Sequence, residues 1–591
     1  MLNQIKYAMM LYPRNLLPFF LFLVFVCFGT FSALAQEEDD DLDTEVVTVV
    51  KPYTPTISDA FKVKETPVLN DSVTTQKKAV EYSIFSVPVA STFTPAKGKA
   101  ETVEKAKPMK LYDNYATLGF GNYTTILGEL FSNFELSRTD QAGFFFRHNS
   151  AQGDIDGVLL ENKFYNTSLD GYYNSRQQDL AYRIEAGVSH ELYNWYGLPD
   201  ARIPFTAETI AGIEPQQTYL GAQVGGMLSV EDSFFEKMTA KLQYVSDAFS
   251  SSEFRVSAQP QFQFPLSEFE LKITGEVDYL TGSFERNYAN TEALPYGILI
   301  AGVAPAWVYT NDDLTVALGA AAVVGLDTER SETDFFIYPR IQASYRLVDE
   351  ILVAYAGADG GLRQNSFYQF KEDNPFVSPT LFIAPTNELV DGFVGLKGKL
   401  SNAVGYNVRG GYRSQENRAL FQLNPYKGSS TSFEGYENGN SFGVVYDDIN
   451  TFSLFGELQV QVSNDFSLGV NAEYQQYSTT NQAEAWNLPE LQATLFSNFN
   501  VTEQIYAGAS IFYVGQRFDL FQDTTGASGP PMTITLDGYV DANAHVGYKV
   551  NDRLNIFLKG SNLVGGNYQK WAQFPVQSIQ GLLGATYKFD W

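Results

Sequence analysis

GLLGATYKFDW, residues Gly581–Trp591, ends the chain and decides the fold. In an extended strand, successive side chains point to opposite faces. One face of this strand carries Leu583, Ala585, Tyr587, Phe589 and Trp591, and the other carries Gly584, Thr586, Lys588 and Asp590. The pattern predicts a β-strand with one apolar and one polar face. A strand at the surface of a soluble β-sandwich is the alternative interpretation.

The position of the strand favours a membrane barrel over the sandwich. It ends at the chain terminus on an aromatic residue, which is typical of the closing strand of a bacterial outer-membrane β-barrel. There the apolar face meets lipid and aromatic rings lie at the interface. We interpret Tyr587, Phe589 and Trp591 as the assembly signal that the barrel-insertion machinery reads.

The N-terminus predicts export. Lys6 and Arg14 precede an apolar run, Leu16–Phe28, and Ala33–Ala35 supplies the small residues of a cleavage site. The run is too short for a favoured membrane helix. We therefore assign 1–35 as a signal peptide, with Gln36 as the first mature residue.

Composition argues against catalysis and against nucleic-acid binding. Cys27, the one cysteine, lies in the predicted signal peptide, and the three histidines are scattered along the sequence. Nucleophile and metal-site motifs are missing from the sequence, so we predict no enzyme activity, no metal and no cofactor. A formal net charge of −28 disfavours binding to a phosphate backbone.

Residues 36–111 differ in amino-acid composition from the rest of the chain. They contain blocks of charge, spaced prolines and a single glycine, Gly98, so they read as an extended periplasmic arm. Two patches in the arm have strand-like composition. One is Glu45, Val46, Val47, Thr48 and Val49; the other contains Tyr82, Ile84, Phe85 and Val87 and could dock a partner by adding a strand to its sheet. A tether without a bound partner is the alternative.

The sequence pattern over residues 112–591 predicts an all-β, transmembrane antiparallel barrel. Amphipathic stretches alternate with tight turns rich in Asn, Asp and Ser. Ten such turns are Ser137–Asp140, Arg176–Asp179, Glu231–Ser233, Leu266–Glu268, Asn311–Asp313, Val348–Glu350, Ser401–Ala403, Ser463–Asp465, Thr502–Gln504 and Asn551–Arg553. Ten turns on one side require eleven hairpins on the other, hence about 22 strands with both termini in the periplasm.

The longer connections are predicted to face outward from the cell. They are rich in Tyr, Phe, Gly and Asn, which suits a recognition surface carried on loops. We assign them to Asn194–Gln216, Ser283–Pro295, Asn365–Asn387, Gln415–Asp448 and Leu520–Met532.

The C-terminal hairpin resembles the final hairpin in the barrel of a TonB-dependent receptor of the Bacteroidetes type. The resemblance rests on Leu554–Asn562 (LNIFLKGSN), Leu563–Tyr568 (LVGGNY) and Gly581–Phe589 (GLLGATYKF). It implies an outer-membrane location in contact with lipid, TonB as a partner and uptake of a substrate. In that family the segment Glu45–Val49 would be the TonB box, the strand that pairs with TonB.

The chain departs from the family because no plug domain is evident. A plug needs more chain than 36–111 supplies, and that region lacks the glycine turns of one. A 22-stranded barrel encloses a wide lumen, so something else must close it. The arm, inward-folded outer loops or a separate partner could do so, and we favour loops together with a partner.

Two functions follow from these observations. The first is an uptake receptor energised through Glu45–Val49, with cationic or neutral cargo favoured by the acidic composition. The second is a plugless scaffold barrel that docks periplasmic proteins and surface lipoproteins. The missing plug and the long arm with spaced prolines favour the scaffold, since TonB would have no obvious element to pull. The TonB-box segment and the receptor-like barrel favour uptake.

Overall fold

The computed structural model describes residues 111–153, 155–428, 434–526 and 529–591. The predicted signal peptide lies outside the described residues, as do the two arm patches Glu45–Val49 and Tyr82–Val87. These assignments therefore stay predictions.

The described chain forms a closed barrel of 22 antiparallel strands. The barrel strands are β1 Asn114–Gly121, β2 Ile126–Glu135, β3 Asp140–Ala151, β4 Phe164–Arg176, β5 Leu180–Asn194, β6 Gln216–Val230, β7 Phe235–Asp247, β8 Ser252–Leu266, β9 Phe269–Phe284, β10 Leu294–Thr310, β11 Leu314–Asp327, β12 Glu332–Val348, β13 Leu352–Arg363, β14 Thr386–Ser401, β15 Val404–Leu423, β16 Phe442–Ser463, β17 Phe466–Thr479, β18 Leu491–Asn500, β19 Ile505–Val514, β22 Tyr539–Lys549, β23 Leu554–Ser561 and β26 Gln580–Phe589. Each pairs with its neighbour in the chain, apart from the two small hairpins described below.

The terminal strands close the barrel on each other. β1 pairs with β26 in one unbroken register, from Asn114 opposite Phe589 to Gly121 opposite Leu582. The predicted closing strand, its antiparallel pairing and the 22-strand count are confirmed.

All ten predicted tight turns lie between consecutive barrel strands and at one end of the barrel, which we call the short-turn end. The opposite end, the long-loop end, carries the other connections. Two hairpins occur in these connections, β20 Arg517–Phe521 with β21 Met532–Leu536 and β24 Gln569–Trp571 with β25 Phe574–Pro575. Two short helices do as well, α1 Ala207–Ala211 and α2 Phe367–Asp373.

One predicted loop is shorter than expected. We expected a loop over Gln415–Asp448, whereas β15 continues to Leu423 and β16 begins at Phe442. A register shift between Gln415 and Arg418 interrupts the alternation, which resumes beyond it. A bulge adds a residue to one strand and breaks the period-two alternation, so the sequence pattern does not show that the strand continues.

Strand length varies around the barrel. β1 and β23 have 8 residues each, while β15 and β16 on the other side have 20 and 22. The rim at the long-loop end is therefore low near the seam between β1 and β26 and high at β15 and β16.

The outer face of the barrel is apolar. On β26, Leu583 and Tyr587 point outward and are 60% and 46% exposed. Leu118 and Phe120 on β1 and Leu558 on β23 continue the surface. Exposed apolar side chains on so many neighbouring strands form the kind of continuous band that lipid covers. Among the described residues, no helix is long and apolar enough to cross a membrane.

Candidate functional site at the barrel mouth

The long loops pack against each other across the opening at the long-loop end, which we call the mouth. Trp195, in the β5–β6 connection, meets Tyr436 of the β15–β16 connection edge-on at 5.2 Å between ring centroids. Asn440 Nδ2 donates to Trp195 O at 2.7 Å. β15 is the tenth strand after β5 in a ring of 22, so these loops start on opposite sides of the barrel. Their contact shows that they extend over the mouth.

A third and a fourth loop complete this contact. Trp195 Nε1 donates to the carbonyl oxygen of Phe376, in the β13–β14 connection, at 3.1 Å. Phe376 stacks on Phe574 of β25 with 4.0 Å between centroids. Tyr196 OH donates to Pro575 O at 2.9 Å. Four connections from around the ring therefore share one aromatic centre.

The interior of this loop assembly is a true hydrophobic core. Side chains from loops and strand ends are buried together, among them Phe284, Phe367, Val377, Phe442, Trp571 and Phe574. Burial of large aromatic side chains is the main source of packing free energy in such a core. The predicted inward folding of the loops agrees with this arrangement.

Helix α2 is anchored to strand β8 of the barrel wall through its N-terminus. Glu253, at the start of β8, is 3% exposed and accepts from the backbone N–H groups of Phe367 at 2.6 Å and Tyr368 at 3.0 Å. Tyr296 OH donates to the same carboxylate at 2.8 Å. The first N–H groups of a helix lack partners within the helix, so a carboxylate there satisfies them.

A buried ion pair forms the second anchor of α2. Lys371 Nζ lies 2.8 Å from Glu191 Oε1 on β5 and 2.5 Å from Glu372 Oε1, and the Lys371 side chain is 1% exposed. Burial alone would lower the pKa of Lys371, but the two carboxylates outweigh it and hold the pKa above its usual value. The lysine therefore stays charged, and α2 is held inside the barrel opening by two wall carboxylates.

The β20–β21 hairpin links further loops to the same assembly. Asp519 is fully buried and accepts from Leu423 N and from Asn487 Nδ2, each at 2.9 Å. Burial raises the pKa of Asp519 to about 6. Arg517 Nη2 donates to Gln569 O at 2.7 Å. The sequence analysis missed this hairpin, although Arg-Phe-Asp-Leu-Phe over 517–521 has the alternation of a strand.

The inner wall below the loops is polar and has two large recesses. One, of about 590 Å³, spans β11 to β17 and is lined by Tyr355, Asp391, Phe393, Lys397, Arg409 and Arg413 among others. The other, of about 360 Å³, lies on β3 to β6, where Tyr368 and Glu372 of α2 form part of its lining. We call them the β11–β17 recess and the β3–β6 recess.

The residues predicted as the assembly signal lie together at the short-turn end. Tyr587 and Phe589 stack with 6.2 Å between centroids, and Phe589 meets Trp591 edge-on at 5.1 Å. Their reading by the insertion machinery stays a prediction.

His545 lies on β22, whereas His148 on β3 and His190 on β5 both lie opposite Thr167 of β4. His148 Nδ1 is 2.8 Å from Thr167 Oγ1, His190 packs on Tyr165, and His545 packs on Tyr506. In the described part of the chain, no group of three or more His, Cys, Asp or Glu residues could hold a metal ion.

Solved structures share this fold. The FrpB iron transporter from Neisseria meningitidis (F3-3 variant) matches with a TM-score of 0.62 and 10% identity, covering 81% of this chain and 82% of its own. The ferric-catecholate import receptor Fiu from E. coli K12 matches with a TM-score of 0.58 and 12% identity, with the same coverage. The siderophore receptor PirA from Acinetobacter baumannii matches with a TM-score of 0.59 and 11% identity, covering 81% of each chain. No protein-family model and no curated sequence matches the chain.

Proposed function

We propose that this protein is an outer-membrane receptor-type barrel that takes up a solute through its lumen. The observation that carries the proposal is the closed 22-strand barrel, which it shares with solved importers and receptors at TM-scores of 0.58 to 0.62. The apolar outer face supports a membrane location, because water would contact that band unfavourably.

The orientation in the membrane follows from the connections. Barrels of this class have short periplasmic turns and longer external loops. The short-turn end would therefore face the periplasm, with both chain termini there, and the mouth would face outward. TonB is the partner that the family resemblance implies, and Glu45–Val49 is the segment proposed to pair with it.

The loop assembly would act as the gate of the uptake path. Its packed aromatic centre and the two anchors of α2 hold the loops across the mouth. A solute that binds the loops more tightly in an open arrangement would shift the population towards opening.

A crosslinking experiment tests energised uptake. The predicted mature chain has no cysteine, so Val49→Cys places one reactive thiol in the segment. We expect a disulfide to TonB variants that carry a cysteine, and Val47→Pro should abolish it because proline removes a backbone donor and fixes φ. Ser72→Cys is the matched control in the arm. If Val49→Cys gives no more crosslink than Ser72→Cys, energised uptake through this segment is wrong.

Iron complexes are the first cargo to test, since the similar structures are described as an iron transporter, a ferric-catecholate receptor and a siderophore receptor. Uptake of radioactive ferric siderophores by cells with and without the protein measures this directly. Equal uptake by both strains would exclude the iron complexes tested.

A scaffold function is the second candidate, and one observation favours it. The loops are locked over the mouth by a hydrophobic core and a buried ion pair, an arrangement suited to a permanently closed barrel. In that case a partner should copurify in mild detergent, and deletion of residues 80–100 should release it without loss of the barrel.

A further inference from the structure

The β11–β17 recess has an excess of positive charge, although the whole chain carries −28. Five cationic side chains line it or lie beside it on the inner wall: Arg340, Arg363, Lys397, Arg409 and Arg413. Four carboxylates stand among them: Asp359, Glu388, Asp391 and Glu473. Five minus four leaves this part of the wall with a net charge of about +1 at neutral pH.

The carboxylates are shared, so the arginines keep free donors. Asp391 Oδ2 lies 2.6 Å from Arg413 Nη2, and Asp391 Oδ1 lies 3.6 Å from Arg409 Nη2. Glu388 Oε1 lies 2.8 Å from Arg363 Nη2, and Glu388 Oε2 lies 3.7 Å from Arg413 Nε. Each guanidinium has five N–H groups, more than these contacts use.

Two of the cations face the recess over aromatic rings. The Arg409 guanidinium lies 4.2 Å from the centre of the Phe393 ring, and Lys397 Nζ lies 5.4 Å from the centre of the Tyr355 ring. Within the described residues, Lys397 has no carboxylate within ion-pair distance. Ring stacking holds the Arg409 plane in place and leaves its edge for a ligand.

The recess has room for a ligand as well as donors. Its volume of about 590 Å³ lies within the range of small-molecule sites. Asn407, Ser453 and Gln475 add neutral hydrogen-bonding groups to the lining. The set combines fixed guanidinium forks, an ammonium, amides and aromatic faces.

We propose that the β11–β17 recess binds a small solute that carries carboxylate or phosphate groups. Guanidinium groups bind such oxyanions through paired hydrogen bonds. The acidic remainder of the chain disfavours anions, so this patch concentrates them at one side of the lumen. The chemistry differs from the cationic or neutral cargo that the composition suggested.

This inference names a solute class for the proposed uptake path and rests on that function for its physiological meaning. Binding to the purified barrel is measured without transport, so the two proposals can fail separately. The probes are citrate and pyrophosphate, with spermidine as a cationic comparison.

The test compares three versions of the full-length protein in mild detergent at low salt, by calorimetry. We expect the Arg409→Gln/Arg413→Gln variant to bind citrate or pyrophosphate at least about tenfold more weakly than the unmodified protein. Asp391→Asn should bind more tightly, because it frees both arginines from their own carboxylate. A cluster that only stabilises the wall would not gain affinity in this way.

A matched control changes two arginines on the opposite wall. Arg147→Gln/Arg183→Gln removes the same charge from β3 and β5, where these side chains pair with Glu129 and Glu185. We expect this control variant to bind citrate and pyrophosphate with an affinity within about twofold of the unmodified protein. That result would exclude a general effect of net charge. All variants are first shown to be folded by their heat-modifiable mobility on gels.

Three results would overturn the proposal: no binding of either anion by the unmodified protein, equal loss in both double variants, or weaker binding by Asp391→Asn. Preference for spermidine over both anions would overturn it as well.

Discussion

The indole Nε1 of Trp591 donates to Oγ of Ser132 at 2.8 Å, so the last residue of the chain is bonded to β2 across β1. Ser132 Oγ donates in turn to Asn114 Oδ1 at 2.5 Å, and Asn114 Nδ2 donates to Phe589 O at 3.0 Å. Ser132 and Asn114 are almost fully buried, while Trp591 itself is 79% exposed. The terminal side chain therefore covers a polar network that ties three strands at the seam.

Replacing Trp591 should weaken the closure of the barrel. Trp591→Ala removes the stacking on Phe134, at 6.3 Å between centroids, and the hydrogen bond to Ser132, for a loss of about 2 kcal/mol. Trp591→Phe keeps a ring and should lose about half as much. Urea unfolding followed by heat-modifiable mobility measures both. Equal stability of the alanine variant and the unmodified protein would contradict the role of this network.

Deletion of Tyr587–Trp591 should prevent assembly in cells. It removes part of the β1–β26 ladder together with the predicted insertion signal, so we expect an unfolded species that periplasmic proteases degrade. Membrane fractionation and gel mobility check this. A truncated chain that still forms a heat-modifiable barrel would refute the signal.

Breaking the buried ion pair of α2 should release the β13–β14 loop. Lys371→Met leaves Glu191 buried without its partner, which costs about 3–5 kcal/mol. Hydrogen exchange of the α2 amides measures the loss of protection. The double variant Lys371→Met/Glu191→Leu removes both charges and should recover most of it. Slow exchange in Lys371→Met would show that the pair does not hold the helix.

Acidification should stabilise the β20–β21 hairpin. The pKa of Asp519 is about 6 in the folded protein and 3.8 in its ordinary state, so the folded form prefers the protonated acid. Stability contributed by this group is therefore highest below about pH 4 and falls as pH rises to about 6, by about 3 kcal/mol in total. Asp519→Asn should flatten the dependence in that window. Hydrogen exchange of the hairpin at several pH values tests the sign.

Surface labelling tests the orientation. Ala289→Cys lies in the exposed β9–β10 connection and should react with an impermeant maleimide on intact cells, whereas Asp552→Cys in a short turn should react only after lysis. Within the predicted outer loop Gln415–Asp448, Tyr426 and Tyr436 are buried in the loop assembly, so they are unsuitable as labelling sites. If only Asp552→Cys reacts on intact cells, the barrel has the opposite orientation to the one proposed.

The barrel itself was predictable because its signals are local. Each tight turn is set by a few Asn, Asp or Ser residues, as at Asn551, whose Oδ1 accepts from Arg553 N at 2.9 Å. Inward folding of the loops was predicted, but the contacts of the loop assembly were not predictable, because they join distant parts of the chain. Trp195 and Asn440 are 245 residues apart, and nothing in either neighbourhood indicates the other. The sequence does not indicate the ion pair between Lys371 and Glu191 either, because each residue considered alone is typical of a solvent-exposed charge.

The unequal height of the wall has a consequence for how the barrel comes apart. The closing ladder lies in a run of short ladders, since β1 has only 8 residues and the nearby β1–β2 and β22–β23 ladders are shorter still, whereas β15 and β16 share a ladder more than twice as long. Every residue pair lost from a ladder gives up backbone hydrogen bonds, and in lipid these have no substitute. Under mechanical or thermal load we therefore expect fraying to begin in this run of short ladders around the two chain ends and to proceed outward from there. The seam between β1 and β26 would also be the last part of the barrel to form its strand pairing during insertion.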